Sequence, residues 1–288
     1  MLDEQRRIIG QTRALNPGAV AVAAAARRRR PWLGPAGRLM IIAADHPARG
    51  VLAAGDRPMA MASRVDLLDR ILVALTRPGV DGILGSADII EDLLLLGALD
   101  GKVVLGSMNR GGLPGSAFEI DDRFTGYSAA AIEAAGLDGG KMLLRIDPGD
   151  PATASTLESC GHAVTDLARR GLVAVIEPFV VVTGHRGNDL SPDAVIRSIT
   201  IASGLGSTSA YTWLKIPVVA EMERVAEAST LPALLLGGDV GDKPDEMFDR
   251  WRRALSLPGI YGLVTGRNLL YPPDDDVAAA VDIAVSLL

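Results

Sequence analysis

Eight short apolar runs, each closed by polar or glycine residues and followed by a helix-like segment, predict an α/β protein folded as a single (β/α)8 TIM barrel. Two further observations support this. The chain has 288 residues; a barrel of this class takes about 250, which leaves room for a modest extension. No stretch rich in Pro, Gly and Ser, and no uniformly charged segment, separates two halves. The expected organisation is an N-terminal helical extension over residues 1–30 and the barrel over residues 31–288.

Residues 1–30 read as one or two extra helices laid across the barrel floor. They end in Arg27–Arg30, a run expected to form a solvated helix end, because cations suit a helix C-terminus. Contact with nucleic acid or anionic lipid is the alternative. The apolar runs are Leu39–Ala44, Gly82–Gly85, Val103–Gly106, Lys141–Ile146, Leu172–Glu177, Tyr211–Ile216, Ala233–Gly237 and Gly262–Thr265. Near-continuous apolarity suits strands covered on both faces of a parallel sheet. Between them, Met61–Leu75 places Val65, Leu68, Ile71, Leu72 and Leu75 on one helical face. Ala87–Leu96, Ser128–Ala135 and Ala154–Arg170 continue the alternation. Ser191-Pro192-Asp193 has the form of an N-cap with proline at the first helical position, opening a helix toward Ser203. Asp242–Leu255 and Asp275–Leu288 complete the set. The first run leads into DHPARG instead of a GxGxxG turn, which favours the closed barrel over an open dinucleotide-binding sheet. Ser107–Thr125, long and glycine-bearing, is the expected active-site loop.

Composition excludes several classes. A net charge of −6 argues against a general nucleic-acid binder. The single cysteine, Cys160, permits no internal disulfide, and no apolar run reaches membrane-spanning length. A cytoplasmic protein with no membrane partner is expected. His46, His162 and His185 have no metal-ligand spacing, so neither a metal nor a cofactor is expected.

In such a barrel, function gathers at the C-terminal ends of the strands. Polar residues there are Asp45, His46, Asn109, Arg110, Lys141, Arg145, Asp147, Glu177, Lys215, Gly237, Gly238, Asp239, Gly266, Arg267 and Asn268. Lys215, in YTWLKIPVV, must place an ammonium in an apolar setting, where desolvation and a nearby cation favour the neutral amine of a Schiff-base nucleophile. Lys141 can be that cation. The competing reading is a lysine in a fixed ion pair with Glu177, or one that snorkels to the rim. Glu177 suits a general acid/base or a buried partner of either lysine. Asp45 can bind substrate hydroxyls or cap a turn. Gly237-Gly238-Asp239 and Gly266-Arg267 follow the last two runs, the usual phosphate site of this architecture; ordinary helix-entry turns are the alternative.

Taken in order, DH after the first strand, GxKxLLR on the fourth, EP on the fifth, a buried lysine on the sixth, GG after the seventh and GRN after the eighth resemble the class I (Schiff-base) aldolases of the DeoC/LacD and DhnA-type group. The nearest resemblance is to actinobacterial barrel proteins of inositol catabolism, and it spans roughly residues 39–270. It implies that Lys215 carries the Schiff base, with Lys141, Glu177 and Asp45 as catalytic partners. Gly238 and Arg267 would hold a phosphate. Two departures stand out: the fourth strand carries Arg145 and no tyrosine, and Pro47 follows DH where glycine is common. Arg145 and Arg186 are expected to receive a carboxylate or sulfonate, and His46 to contact substrate. The expected activity is cleavage or formation of a C–C bond in a phosphorylated ketose or keto sugar acid, such as 6-phospho-5-dehydro-2-deoxygluconate, by a homo-oligomeric lyase. A barrel isomerase or epimerase of a sugar phosphate, and an inactive sugar-phosphate-binding barrel, are the alternatives.

Overall fold

The computed structural model describes residues 2–181, 187–238 and 244–288. Each apolar run becomes a strand: β1 Leu39–Ala43, β2 Gly82–Gly85, β3 Val103–Ser107, β4 Gly139–Ile146, β5 Val173–Val181, β6 Thr212–Ile216, β7 Ala233–Leu236 and β8 Ile260–Thr265. Every strand pairs in parallel with its neighbours in sequence, and β8 returns to β1, so the sheet closes as a (β/α)8 barrel. Side chains alternate between the two faces of a strand. Leu39, Ile41, Leu84, Val103, Leu105, Val173, Val175, Trp213, Leu234 and Val264 pack together inside the barrel. Their alternates, among them Met40, Ile42, Val104, Met142, Ile176, Leu214 and Leu263, pack under the outer helices.

The helices around the barrel are α3 Arg64–Thr76, α4 Ala87–Leu95, α5 Ala129–Ala134, α6 Ala152–Arg169, α7 Pro192–Ser203, α8 Met222–Glu227, α9 Pro244–Leu255, α10 Arg267–Leu270 and α11 Val277–Ser286. Ser63, Ser128, Ser191 and Asp276 accept hydrogen bonds from the first turns of α3, α5, α7 and α11, fixing where each helix starts. The six-residue α8 carries too little periodic signal to be read from sequence. β5 runs past Glu177 and Pro178; β6 pairs with it only as far as Ile176, so the proline's missing N–H breaks no bond on that edge.

The N-terminal extension differs from expectation. α1 Leu2–Leu15 and α2 Ala19–Ala26 pack against the outer helices α3 and α4, not across the floor. Arg13 of α1 reaches Glu91 and Asp92 of α4 at 2.8 and 2.9 Å. The floor is closed by residues 31–38, where Trp32 and Leu33 pack on the interior cluster and Trp32 meets Trp213 edge-on at 5.3 Å.

Arg27–Arg30 directly follows α2 and is only in part the solvated end expected: Arg28 and Arg29 are exposed, whereas Arg27 and Arg30 are not. Arg27 is buried against Asp138 and donates to the carbonyls of Lys102 and Gly136. Arg28 pairs with Asp100, Arg29 with Asp138 and Arg30 with Asp81. Asp81 and Asp138 in turn accept the backbone N–H groups of Met40 and Val104, so the arginines tie the extension to the starts of the strands. No described helix is long and apolar enough to cross a membrane.

Candidate active site

The two-residue period that fills the interior continues upward through Ser107, Lys141, Glu177 and Lys215. Register puts Ser107 opposite Lys141, and Glu177 opposite Leu143, one inward-facing step nearer the mouth. Ser107, Lys141, Glu177 and Lys215 are all buried, and except for Ser107 they line a cavity of about 590 Å³ at the C-terminal mouth. Lys215 therefore points into the barrel. Its Nζ lies 2.8 Å from Glu177 Oε1, while Glu177 Oε2 holds Lys141 Nζ. Lys141 Nζ also stands 3.4 Å from Asp45 Oδ2. That same oxygen accepts from Ser107 Oγ at 3.0 Å and from Arg110. The result is one continuous chain of polar contacts from Lys215 to Arg110.

Electrostatics follow from burial and from this pairing. Burial disfavours the Glu177 carboxylate, yet the ammonium groups of Lys141 and Lys215 outweigh it and hold its pKa at about 2. Asp45 is likewise held well below the carboxylate range: burial opposes this, but Lys141, Arg110, His46 and Lys215 prevail. Lys141 is pulled below the ordinary lysine value by desolvation, against the attraction of Asp45 and Glu177. Burial thus makes Lys141 a readier proton donor than a solvated lysine.

His46 lines the cavity, with Nδ1 4.0 Å from Asp45 Oδ1 and without a hydrogen-bond partner. Burial, against the pull of Asp45 and aided by the cations Arg267 and Lys215, lowers its pKa to about 3. Between pH 6.5 and 3 the unfolded chain binds a proton that the folded imidazole refuses, so stability falls as pH falls through that window. Between pH 7 and pH 5 the wild type should lose about 2 kcal/mol more stability, measured by urea unfolding, than His46→Gln. Equal losses in the two proteins would place the imidazole in contact with solvent.

The rim after β7 and β8 is built from glycine for steric reasons. A Cβ on Gly237 would sit 2.1 Å from Thr265 Oγ1, and one on Gly266 would sit 2.0 Å from the Ala43 carbonyl oxygen. Gly238 has φ of 73°, open to glycine at no steric cost. With Arg267 these residues line the cavity, Gly238 being exposed and Gly266 buried. Arg250 of α9, which sequence reasoning passed over, lines the same region. Asp239 and Arg186, also expected here, lie outside the described residues.

On the opposite side, the loop after β3 folds over the barrel mouth. Arg49, from the DHPARG turn, pairs with Asp122 at 2.7 Å and donates to the carbonyls of Asn109 and Gly112. Arg145 lines the cavity, but its guanidinium is engaged by the Glu119 carboxylate and by the carbonyls of Gly112 and Glu119. Asn109 accepts from the Leu143 N–H and donates to the Leu143 carbonyl, a structural duty. Asp147 caps the turn at Gly149. Cys160 is on the buried face of α6, with its thiol pushed up to about 12 by burial, far from reactive.

Sequence reasoning named Arg110 as a candidate without a specific role and passed over Ser107, Arg49, Glu119 and Asp122. Ser107 was legible, since it ends the third run with the inward parity of Val103 and Leu105. The loop residues had no periodic signal to reveal them. Among the described residues no group of His, Cys, Asp and Glu is arranged to hold a metal.

Comparison with solved structures finds Cgl0159 from Corynebacterium glutamicum, 54% identical, with a TM-score of 0.96 over 99% of this chain and 96% of that one. A Schiff-base-forming fructose-1,6-bisphosphate aldolase is similar at 19% identity and a TM-score of 0.65, over 88% of this chain and 96% of that one. An archaeal fructose-1,6-bisphosphate aldolase, with its catalytic lysine bound covalently to a carbinolamine intermediate, is similar at 19% identity and a TM-score of 0.66, over 88% and 95%. At that identity the two aldolases share the barrel fold. Among curated proteins no match is found. A model described as Cgl0159-like matches residues 37–285, and the chain belongs to the Cgl0159-like family.

Proposed function

We propose that the protein is a class I aldolase acting on a phosphorylated ketose or keto sugar acid through a Schiff base on Lys215. One observation carries this reading: two buried lysines share one carboxylate at the floor of the mouth cavity, facing a glycine-and-arginine rim. The barrel held in common with Schiff-base aldolases supports it as an analogy of fold.

In this mechanism Lys215 Nζ adds to the substrate ketone, and the carbonyl oxygen takes up a proton to give a carbinolamine. Loss of water leaves an iminium. Removal of the proton from the hydroxyl one carbon beyond the adjacent carbon sends the C–C bonding electrons into the iminium and releases an aldehyde. The enamine left behind is protonated on carbon, and water hydrolyses it to free the ketone and Lys215. Glu177 touches both amines and, as a fixed anion, orients Lys215 beside Lys141, whose lowered pKa suits it to exchange protons with the substrate, the role a tyrosine on β4 would otherwise fill. Asp45 Oδ2 is held by Ser107, Arg110 and Lys141, which leaves Oδ1 to accept from a substrate hydroxyl.

The test is borohydride reduction with fructose 1,6-bisphosphate, 2-deoxyribose 5-phosphate and 6-phospho-5-dehydro-2-deoxygluconate, followed by peptide mass spectrometry. A reduced adduct on the peptide containing Lys215 is expected with at least one of them. No adduct with any, together with interconversion of a sugar phosphate, would favour an isomerase and overturn the proposal.

A further inference from the structure

We propose that Arg145 is a second anion subsite, suited to a carboxylate at the far end of a phosphorylated substrate, and that Glu119 occupies it as an internal stand-in. The placement of the phosphate at the glycine rim rests on the aldolase reading above.

Strand order fixes the geometry. In the closed ring of eight strands, β4 lies diametrically across from β8. Arg145 is four residues beyond Lys141 on β4, so it shares the inward face and sits about 13 Å nearer the mouth at ~3.3 Å per residue. Gly266 and Arg267 follow β8 directly. A ligand anchored at that rim and crossing over Lys215 meets Arg145 at its other end.

The contacts of Arg145 divide into fixed and exchangeable ones. Nη2 is pinned by the carbonyls of Gly112 and Glu119 at 2.8 and 2.9 Å. Nη1 carries the Glu119 carboxylate, whose side chain is 32% exposed and lines the cavity. Nε is buried and has no hydrogen-bond partner. A guanidinium this deeply buried requires an anion. Asp122 is committed to Arg49 and stays 3.7 Å from Arg145, which leaves the place to Glu119 or to a ligand. Exchanging one carboxylate for another keeps the charge of the pocket unchanged. A phosphate dianion would add negative charge beside Asp122, so the seat favours a monoanion.

The experiment is calorimetric binding to the full chain of two six-carbon probes, 6-phosphogluconate and glucitol 6-phosphate. They differ in having a carboxylate or a hydroxymethyl group opposite the phosphate. The wild type should prefer 6-phosphogluconate by roughly tenfold. Glu119→Gln, which removes the competitor, should raise that preference by about another tenfold through 6-phosphogluconate alone. Arg145→Met should bind both probes equally if it folds; Glu119→Gln carries the test if it does not. The subsite is overturned if Glu119→Gln changes both probes alike or neither, or if the wild type shows no carboxylate preference, including no binding of either. Neither probe has a ketone, so this outcome is independent of borohydride trapping, and each reading can fail alone.

Discussion

Lys215→Met should lose every borohydride-trapped adduct and lower kcat/KM by about 10⁴-fold or more, the scale on which loss of a covalent nucleophile acts. Methionine keeps the length and packing of the lysine stem while removing the amine. Glu177 retains Lys141, so the carboxylate is not stranded, and the variant should stay folded by circular dichroism and thermal melting. An adduct that survives in Lys215→Met would move the nucleophile elsewhere, first to Lys141, the other lysine lining the cavity among the described residues. Lys141→Met serves as the control: it should still trap substrate on Lys215 but turn over slowly, because one member of the proton path is gone.

Glu177→Gln should affect both stability and rate. The shared carboxylate separates two ammonium groups, and breaking a buried pair by removing one partner costs about 3–5 kcal/mol. The pH dependence discriminates the cause. In the wild type the Glu177 pKa is held at about 2, so its contribution is complete above about pH 4.5 and is lost as pH falls toward 2. The variant lacks that loss on the acid side. Its two lysines face each other without an intervening anion, so its stability should rise between pH 7 and 10 as Lys141, already shifted downward, gives up its proton. Urea unfolding at both pH values measures this; a flat profile would mean that the lysines are separated by something other than Glu177. Turnover should fall by about 10²–10⁴-fold, the usual contribution of a positioned acid/base group.

The barrel was legible because it is written in period two. Runs such as LMIIA and VVLGS are covered on both faces, and eight of them in 288 residues without a GxGxxG turn favour a closed parallel sheet over an open one. Lys141, Glu177 and Lys215 stood out for the same reason: a charge inside such a run has to face either the interior or the helices, and strand parity decides for the interior. Arg145 was visible on the same grounds, but its occupant was not. Glu119 lies in a loop with no repeating pattern, 26 positions away in sequence, and its contact depends on how that loop folds over Arg49. The ion pairs of the four arginines were hidden for a related reason. Their aspartate partners at 81, 100 and 138 are brought near only when the strands assemble.

That arginine strap divides labour between the two ends of the molecule. Arg27, Arg29 and Arg30 anchor to Asp138 and Asp81, where β4 and β2 begin, whereas Lys215 sits near the opposite end of β6 and Arg145 near the opposite end of β4. A library that varies the loops after β3 and β7 to retune substrate range would leave these anchors intact. Redesign of the mouth can therefore draw on a stability reserve kept at the base, much as a lathe changes its tooling without disturbing its bed.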